Sequence, residues 1–71
     1  MTEYTVVYER GDGNWSAYSP DVPGCVAAGE SREEVERLII AALEFHFEGL
    51  RAEGLPVPMP TTETGTVRLP A

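Results

Sequence analysis

A rigid turn that leads directly into a capped helix constrains this chain more than any other feature. Residues 19–29 read Ser-Pro-Asp-Val-Pro-Gly-Cys-Val-Ala-Ala-Gly, and Ser31 with Glu33 and Glu34 follows at once. Each proline fixes its own φ angle, and Gly24 tolerates backbone angles that are closed to other residues. The turn between two short strands is therefore largely pre-shaped, and the helix begins soon after the second of these strands.

Three short strands are predicted before the helix. Residues 3–10 are rich in aromatic and β-branched types, a turn with two glycines follows at residues 11–14, and residues 15–19 form the second arm of a β-hairpin. Residues 25–29 supply a third strand, which the hairpin logic places antiparallel to the second.

One amphipathic helix of about five turns is predicted to begin after Ser31. The Ser31 hydroxyl can accept a hydrogen bond from the backbone N–H of Glu34, while the Glu34 carboxylate reaches back towards the cap. Apolar residues then recur at helical spacing from Val35 onwards. Gly54 is placed to end the helix, and Pro56 prevents its continuation.

The C-terminal part of the chain divides at residue 60. Prolines alternate through residues 55–60 and favour an extended path without ladder pairing. Residues 63–69 have the β-branched content of a further strand. We therefore predict one domain over residues 1–60 and a tail over residues 61–71 that can add a fourth strand. The fold class is α+β, a three- to four-stranded mainly antiparallel sheet with one helix packed on one face.

A single helix leaves the other face of the sheet uncovered, and exposed apolar surface of this kind usually marks a protein interface. Val7, Trp15, Tyr18 or their neighbours line that face, according to register. Ile40 and Phe47 lie beyond the arc that a sheet can cover, so they either wrap into the small core or pack against a second subunit or partner. The candidate contact residues are Trp15, Tyr18, Asp21, Val22, Ile40 and Phe47.

The charge balance predicts the kind of partner. Twelve acidic residues against five basic ones give a net charge of −7. Phosphate backbones are repelled by such a surface, so we expect no direct binding of nucleic acid. A basic protein is the natural complement, although acidity can also serve solubility alone.

The small size of the chain predicts self-association. A chain of 71 residues buries only about 60% of the surface that its unfolded form exposes. The single cysteine cannot form an internal disulfide, and the single histidine gives no zinc-ligand spacing. We therefore expect a homo-oligomer, either a dimer or a tetramer.

No apolar run approaches the roughly 20 residues needed to cross a bilayer, and the first residues lack the pattern of a signal peptide. A cytoplasmic protein without membrane contact is expected.

No residue pattern supports catalysis. His46 lies in the apolar stripe of the helix, where a core or interface histidine bonded to a carbonyl is the simpler interpretation, and Cys25 occupies a buried strand position. Helix capping and turn formation already explain the carboxylates, so a metal-dependent hydrolase is the weakest alternative. We predict no catalytic, cofactor-binding or metal-binding residues and no cofactor.

The chain resembles the HicB-like antitoxin family in several consecutive motifs. These are the Tyr-x-Val-x-Tyr-Glu strand from Tyr4, the Trp-Ser-Ala-Tyr strand from Trp15, the turn over residues 20–29, the cap at Ser31, and the Glu-Gly-Leu-Pro-Val-Pro sequence from Glu53. The resemblance implies a partial ribonuclease H-like fold of order β-β-β-α-β. It also implies that the chain neutralises a HicA-type toxin, a small basic ribonuclease, by covering its active surface.

Longer members of that family carry a C-terminal DNA-binding domain, which we expect this short form to lack. Two functions follow as hypotheses. The first is an antitoxin-like binding protein without enzymatic activity. The second is an orphan oligomeric domain that serves assembly or binds a small ligand and has no toxin partner.

Overall fold

The computed structural model describes residues 2–70 and contains one sheet and one helix. The strands are β1 (Val7–Arg10), β2 (Trp15–Tyr18) and β3 (Val26–Gly29), and they are followed by α1 (Arg32–Ala52). Both strand pairs are antiparallel, in the order β1-β2-β3. The predicted α+β class, with three antiparallel strands and one helix, is confirmed.

The first strand is shorter than predicted because its partner ends early. Val7 pairs with Tyr18, so residues before Val7 would have to pair with Ser19 and Pro20. Pro20 has no N–H to donate to a ladder. The Ser19 hydroxyl instead donates to the carbonyl of Thr5 at 2.8 Å, which ties the segment before β1 to the end of β2.

The fourth strand expected in the tail does not form within the described part of the chain. Residues 56–70 contain no strand, and residues 63–70 are exposed. The radius of gyration is 14.1 Å, against about 11 Å for a compact chain of this length. The longest dimension of the protein is 49 Å because the tail extends away from the body. Ala71, which belonged to the predicted tail, lies outside the described residues.

The turn before β3 has the shape that its sequence predicts. Gly24 has a φ of 89°, and the N–H of Cys25 donates to the carbonyl of Val22 at 3.3 Å. Proline followed by a glycine at positive φ is the pattern of a type II turn. A second tight turn precedes it, because the N–H of Val22 donates to the carbonyl of Ser19 at 3.1 Å.

The helix begins with the predicted cap. The Ser31 hydroxyl accepts from the N–H of Glu34 at 3.1 Å. The Glu34 carboxylate accepts from the N–H of Glu30 at 2.8 Å, one residue before the cap. One unpaired N–H of the first helical turn and the N–H just before the cap are thus satisfied by side chains.

The helix ends in a Schellman motif at Gly54, nearly six turns from its start, since it contains 21 residues. The N–H of Gly54 donates to the carbonyl of Arg51 at 3.1 Å, and the N–H of Leu55 donates to that of Leu50 at 2.8 Å. The positive φ of 72° at Gly54 makes both bonds reachable.

Two small clusters form the core between the helix and the rest of the chain. In the first, Ala17 of the sheet packs against Val35 and Ile39, which are both fully buried. The second contains Val22, Cys25 and Phe47. The partly buried residues around the clusters are Tyr4, Val6, Tyr8, Trp15, Ala27, Leu43, Leu50 and Val57.

Replacing Gly54 by alanine should destabilise the protein by about 1 kcal/mol, because an L-residue is disfavoured at positive φ. Gly65→Ala is the matched control, since Gly65 has no positive φ and an added Cβ meets no atom there. Urea unfolding of both variants measures the difference. Equal stability of the two variants would contradict the role of Gly54 as the helix terminator.

Candidate protein-binding surface

A row of apolar side chains crosses the face of the sheet that the helix leaves uncovered. Val7 pairs with Tyr18, and Tyr18 pairs with Val26. Ala17 and Ala27, which alternate with Tyr18 and Val26 along the strands, pack in the core on the helix side. Because successive side chains of a strand point to opposite faces, the row lies on the side away from the helix.

The row is exposed and bordered by polar residues. Val26 is 69% exposed and Tyr18 is 40% exposed, while Val7 is half-buried. The next row along the strands contains Glu9, Ser16 and Ala28. The uncovered face therefore offers a small apolar strip beside a carboxylate. We call Val7, Tyr18 and Val26 the sheet row.

Trp15 does not belong to this surface, which corrects the expectation from the sequence. It is half-buried and packs against the core cluster on the helix side of the sheet. The guanidinium of Arg10, its ladder partner, lies 5.7 Å from the centre of the Trp15 ring. The register places Trp15 on the same face as Ala17.

Val22 and Phe47 are also core residues, so neither presents contact surface. Val22 is fully buried because the two tight turns direct it inwards. The ring of Phe47 packs 5.1 Å from that of Tyr4, whose hydroxyl donates to the carbonyl of Pro58 at 2.7 Å. The N-terminal segment and the proline segment thus cover the arc of helix that the sheet does not reach.

Asp21 holds the root of the tail. Its carboxylate accepts four hydrogen bonds, from the backbone N–H and the hydroxyl of both Thr61 and Thr62, at 2.8 to 3.2 Å. The bond from the Thr62 hydroxyl is the main cause that lowers the pKa of Asp21, partly offset by desolvation, and the other three bonds lower it further. The Thr5 hydroxyl donates to the Thr62 carbonyl at 3.1 Å and fixes the same point.

Sequence reasoning missed this clamp and also missed Val26. Asp21 and its partners are 40 and 41 residues apart, and no local pattern connects them. Val26 could have been found, because buried Cys25 and half-buried Ala27 lie on either side of it. Alternation then places Val26 on the outer face.

Ile40 and Phe45 are exposed on different sides of the helix. Ile40 is 50% exposed and Phe45 is 75% exposed. Of the six predicted contact residues, Tyr18 lies on the uncovered sheet face and Ile40 lies on the helix, so the structure does not bring the six together.

Cys25 and His46 lie in surroundings that explain them structurally. Burial raises the pKa of the Cys25 thiol, whose sulfur lies 4.0 Å from the Ala42 carbonyl oxygen. His46 is half-buried with its ring 6.2 Å from that of Phe47. The predicted carbonyl partner of His46 is not among the hydrogen bonds of residues 2–70.

Within residues 2–70, no three His, Cys, Asp or Glu side chains converge in a way that could hold a metal ion. The same residues include no helix that is both long enough and apolar enough to span a membrane.

Comparison with known proteins gives one family and two relatives. Residues 4–69 match the family model described as HicB-like antitoxin of bacterial toxin-antitoxin system. UPF0150 protein ssr1765 of Synechocystis sp. is 41% identical over 56 residues, which cover 78% of this chain and 71% of that protein. No solved structure matches the chain significantly.

The second relative is Antitoxin HicB 2 of Photorhabdus laumondii subsp. laumondii. It is 30% identical over 64 residues, which cover 84% of this chain and 43% of the relative. The chain therefore spans less than half the length of this relative.

Removing the Asp21 carboxylate should release residues 61 and 62 and leave the body folded. We expect Asp21→Ala to speed amide hydrogen exchange at Thr61 and Thr62 at least tenfold, with no change in β2 or the helix. Asp12→Ala, in the exposed hairpin turn, is the matched control. Unchanged exchange at both threonines in Asp21→Ala would show that the clamp does not hold the tail.

The clamp should also depend on pH in a defined direction. A pKa that is lowered in the folded state stabilises the contact above the ordinary aspartate range, and this stabilisation is lost as pH falls through the lowered pKa. The amide shifts of Thr61 and Thr62, followed by NMR, should remain constant near neutral pH and titrate only in acid. A midpoint above the ordinary aspartate pKa would contradict this assignment.

The Cys25 thiol should be unreactive in the folded protein, because it is 5% exposed and its pKa is raised. We expect labelling by a thiol reagent at neutral pH to be at least tenfold slower than in guanidinium-unfolded protein. Equal rates would show that the second core cluster is open to solvent.

Proposed function

Because the chain belongs to the HicB-like antitoxin family of bacterial toxin–antitoxin systems, we propose that it is an antitoxin that binds and neutralises a small basic ribonuclease of the HicA type. The neutralisation acts by covering the toxin surface that cleaves RNA. No bond is made or broken by the antitoxin, so the role is not enzymatic. The complex forms in the cytoplasm, where messenger RNA is the toxin's target.

The observation that carries the proposal is the exposed sheet row in a member of an antitoxin family. Tyr18 and Val26 place an aromatic ring and a β-branched side chain on one open face. Aromatic and aliphatic side chains at the centre of a patch, surrounded by polar residues, are typical of protein interfaces. Ile40 on the helix is a second candidate contact, on a separate surface.

The acidity of the chain supports a basic partner. With a net charge of −7, the protein attracts a cationic ribonuclease at long range and repels the RNA that competes for it. The field therefore speeds the encounter, and the apolar sheet row then holds the complex. Binding of nucleic acid by these residues themselves is disfavoured by the same charge.

Self-association is part of the proposed function. The core of residues 2–70 consists of two small clusters, and such a domain gains stability when further apolar surface is buried between copies. The β-β-β-α order of the described elements supports the partial ribonuclease H-like architecture, although residues 53–70 form no last strand.

The sheet row is tested by placing a positive charge within it. Val26→Lys removes apolar surface and adds a charge that repels a basic toxin. Val67→Lys makes the same change at an exposed tail position, where the side chain is 84% exposed. Increasing amounts of each variant are added to an RNA-cleavage assay with a purified HicA-type toxin.

We expect wild-type protein and Val67→Lys to block cleavage at similar concentrations and Val26→Lys to require at least tenfold more. Equal inhibition by the two variants would show that the toxin contacts another surface. If wild-type protein leaves cleavage unchanged and no toxin co-purifies on co-expression, the chain is an orphan domain and the proposed function is wrong.

A further inference from the structure

One flank of α1, beside the arc that packs in the core, carries an apolar stripe that nothing in residues 2–70 covers completely. Leu38, Ala42, Phe45, Gly49 and Ala52 follow one another at alternating steps of four and three residues. This spacing aligns side chains along one side of a helix, as in a coiled coil. Leu38 is 45% exposed and Phe45 is 75% exposed.

The fold of a single chain does not require a glycine at residue 49. A glycine inside a helix costs about 1 kcal/mol relative to alanine. Gly49 is not one of the glycines with positive φ, and a Cβ added to it would meet no atom within 4 Å. Neither the backbone nor the packing of the described chain therefore requires glycine at this position.

The missing side chain leaves a shallow concavity on the helix surface. Its volume is about 250 Å³, and it is lined by Phe45, His46, Gly49, Leu50 and Glu53. The concavity lies directly beside the most exposed aromatic ring of the helix, that of Phe45. An apolar knob and an apolar hole are thus adjacent on one face.

We propose that this stripe is the surface through which two copies of the chain associate, as an antiparallel helix pair. In a pair with two-fold symmetry each contact occurs twice: a residue i of one copy contacts residue j of the other, and residue j of the first copy contacts residue i of the second. One antiparallel register places Leu38 opposite Gly49 and Phe45 opposite Ala42. Each large side chain then meets a small residue, and the concavity at Gly49 receives Leu38 of the second copy.

The charged residues beside the stripe are also complementary to a second copy of the chain. Arg37 and Glu48 lie on the same border of the stripe, counted at 100° per residue. An antiparallel two-fold pair brings Arg37 of one copy towards Glu48 of the other at both ends. Antiparallel orientation also places the positive end of each helix dipole beside the negative end of the other.

The helix stripe and the sheet row lie on different elements and share no residue, and the sheet row is on the face of the sheet away from the helix, so the pair leaves the proposed toxin-binding face free. The inference extends the self-association that belongs to the proposed function, but it does not need a toxin.

The salt dependence of binding distinguishes the association of two copies from the binding of a toxin. Association of two acidic copies through apolar surface strengthens as salt screens their repulsion, whereas binding of a basic toxin weakens.

The test measures the dimer dissociation constant of the isolated chain by sedimentation equilibrium. Gly49→Gln fills the concavity and should raise the constant at least tenfold, and Phe45→Ala should do the same by removing the knob. Val67→Ala, at an exposed apolar position in the tail, is the control and should stay within twofold of wild type. Glutamine favours the helix more than glycine does, so circular dichroism should show that Gly49→Gln remains folded.

The register is tested by cross-linking. A mixture of Leu38→Cys and Gly49→Cys chains, both carrying Cys25→Ala, should form mixed disulfide dimers in preference to either homodimer when oxidised by dissolved oxygen. A wild-type chain that stays monomeric at about 100 μM in about 0.5 M salt would overturn the proposal. A Gly49→Gln chain that dimerises like wild type would overturn it as well, because another surface must then hold the copies together.

Discussion

The burial of Val35 and Ile39 against Ala17 is the contact on which the rest of the fold depends. Each strand has only four residues, and such a small sheet is not stable in water without a packed apolar face. Full burial of each of the two helix side chains contributes about 1.5–3 kcal/mol. Because Ala17 is small, the helix backbone can approach the middle strand closely. The sheet and the helix therefore stabilise each other, and neither element has a second layer to rely on.

Because the sheet and the helix contact each other through one layer, each of them keeps one surface free for binding. One face of the sheet is used for the core, so the sheet row on the other face is available to a partner of a different kind. One side of the helix is used for the core, so the stripe around Phe45 and Gly49 is available to a second copy. An assembly that uses both surfaces adds partners without disturbing the core.

Local sequence signals predicted local structure well, and they failed where distant segments meet. The turn at Gly24 and the helix end at Gly54 were predictable because the glycine itself sets the backbone angle. Trp15 was assigned to the wrong face, although it lies three residues from Tyr18, and alternation puts such residues on opposite faces. The burial of Phe47 and the role of Asp21 depend on segments more than 35 residues away in the chain, and no helical or strand period reports on such contacts.

The clamp between Asp21 and the two threonines has a consequence for how this sequence can vary over evolution. Two of the four hydrogen bonds to the Asp21 carboxylate come from hydroxyls and so require serine or threonine at residues 61 and 62, whereas the other two come from backbone N–H groups that any residue except proline supplies. The side chains at the three positions are therefore coupled through the two hydroxyl bonds. Drift at any of them relaxes selection on the other two, so they are expected to change together across related genes.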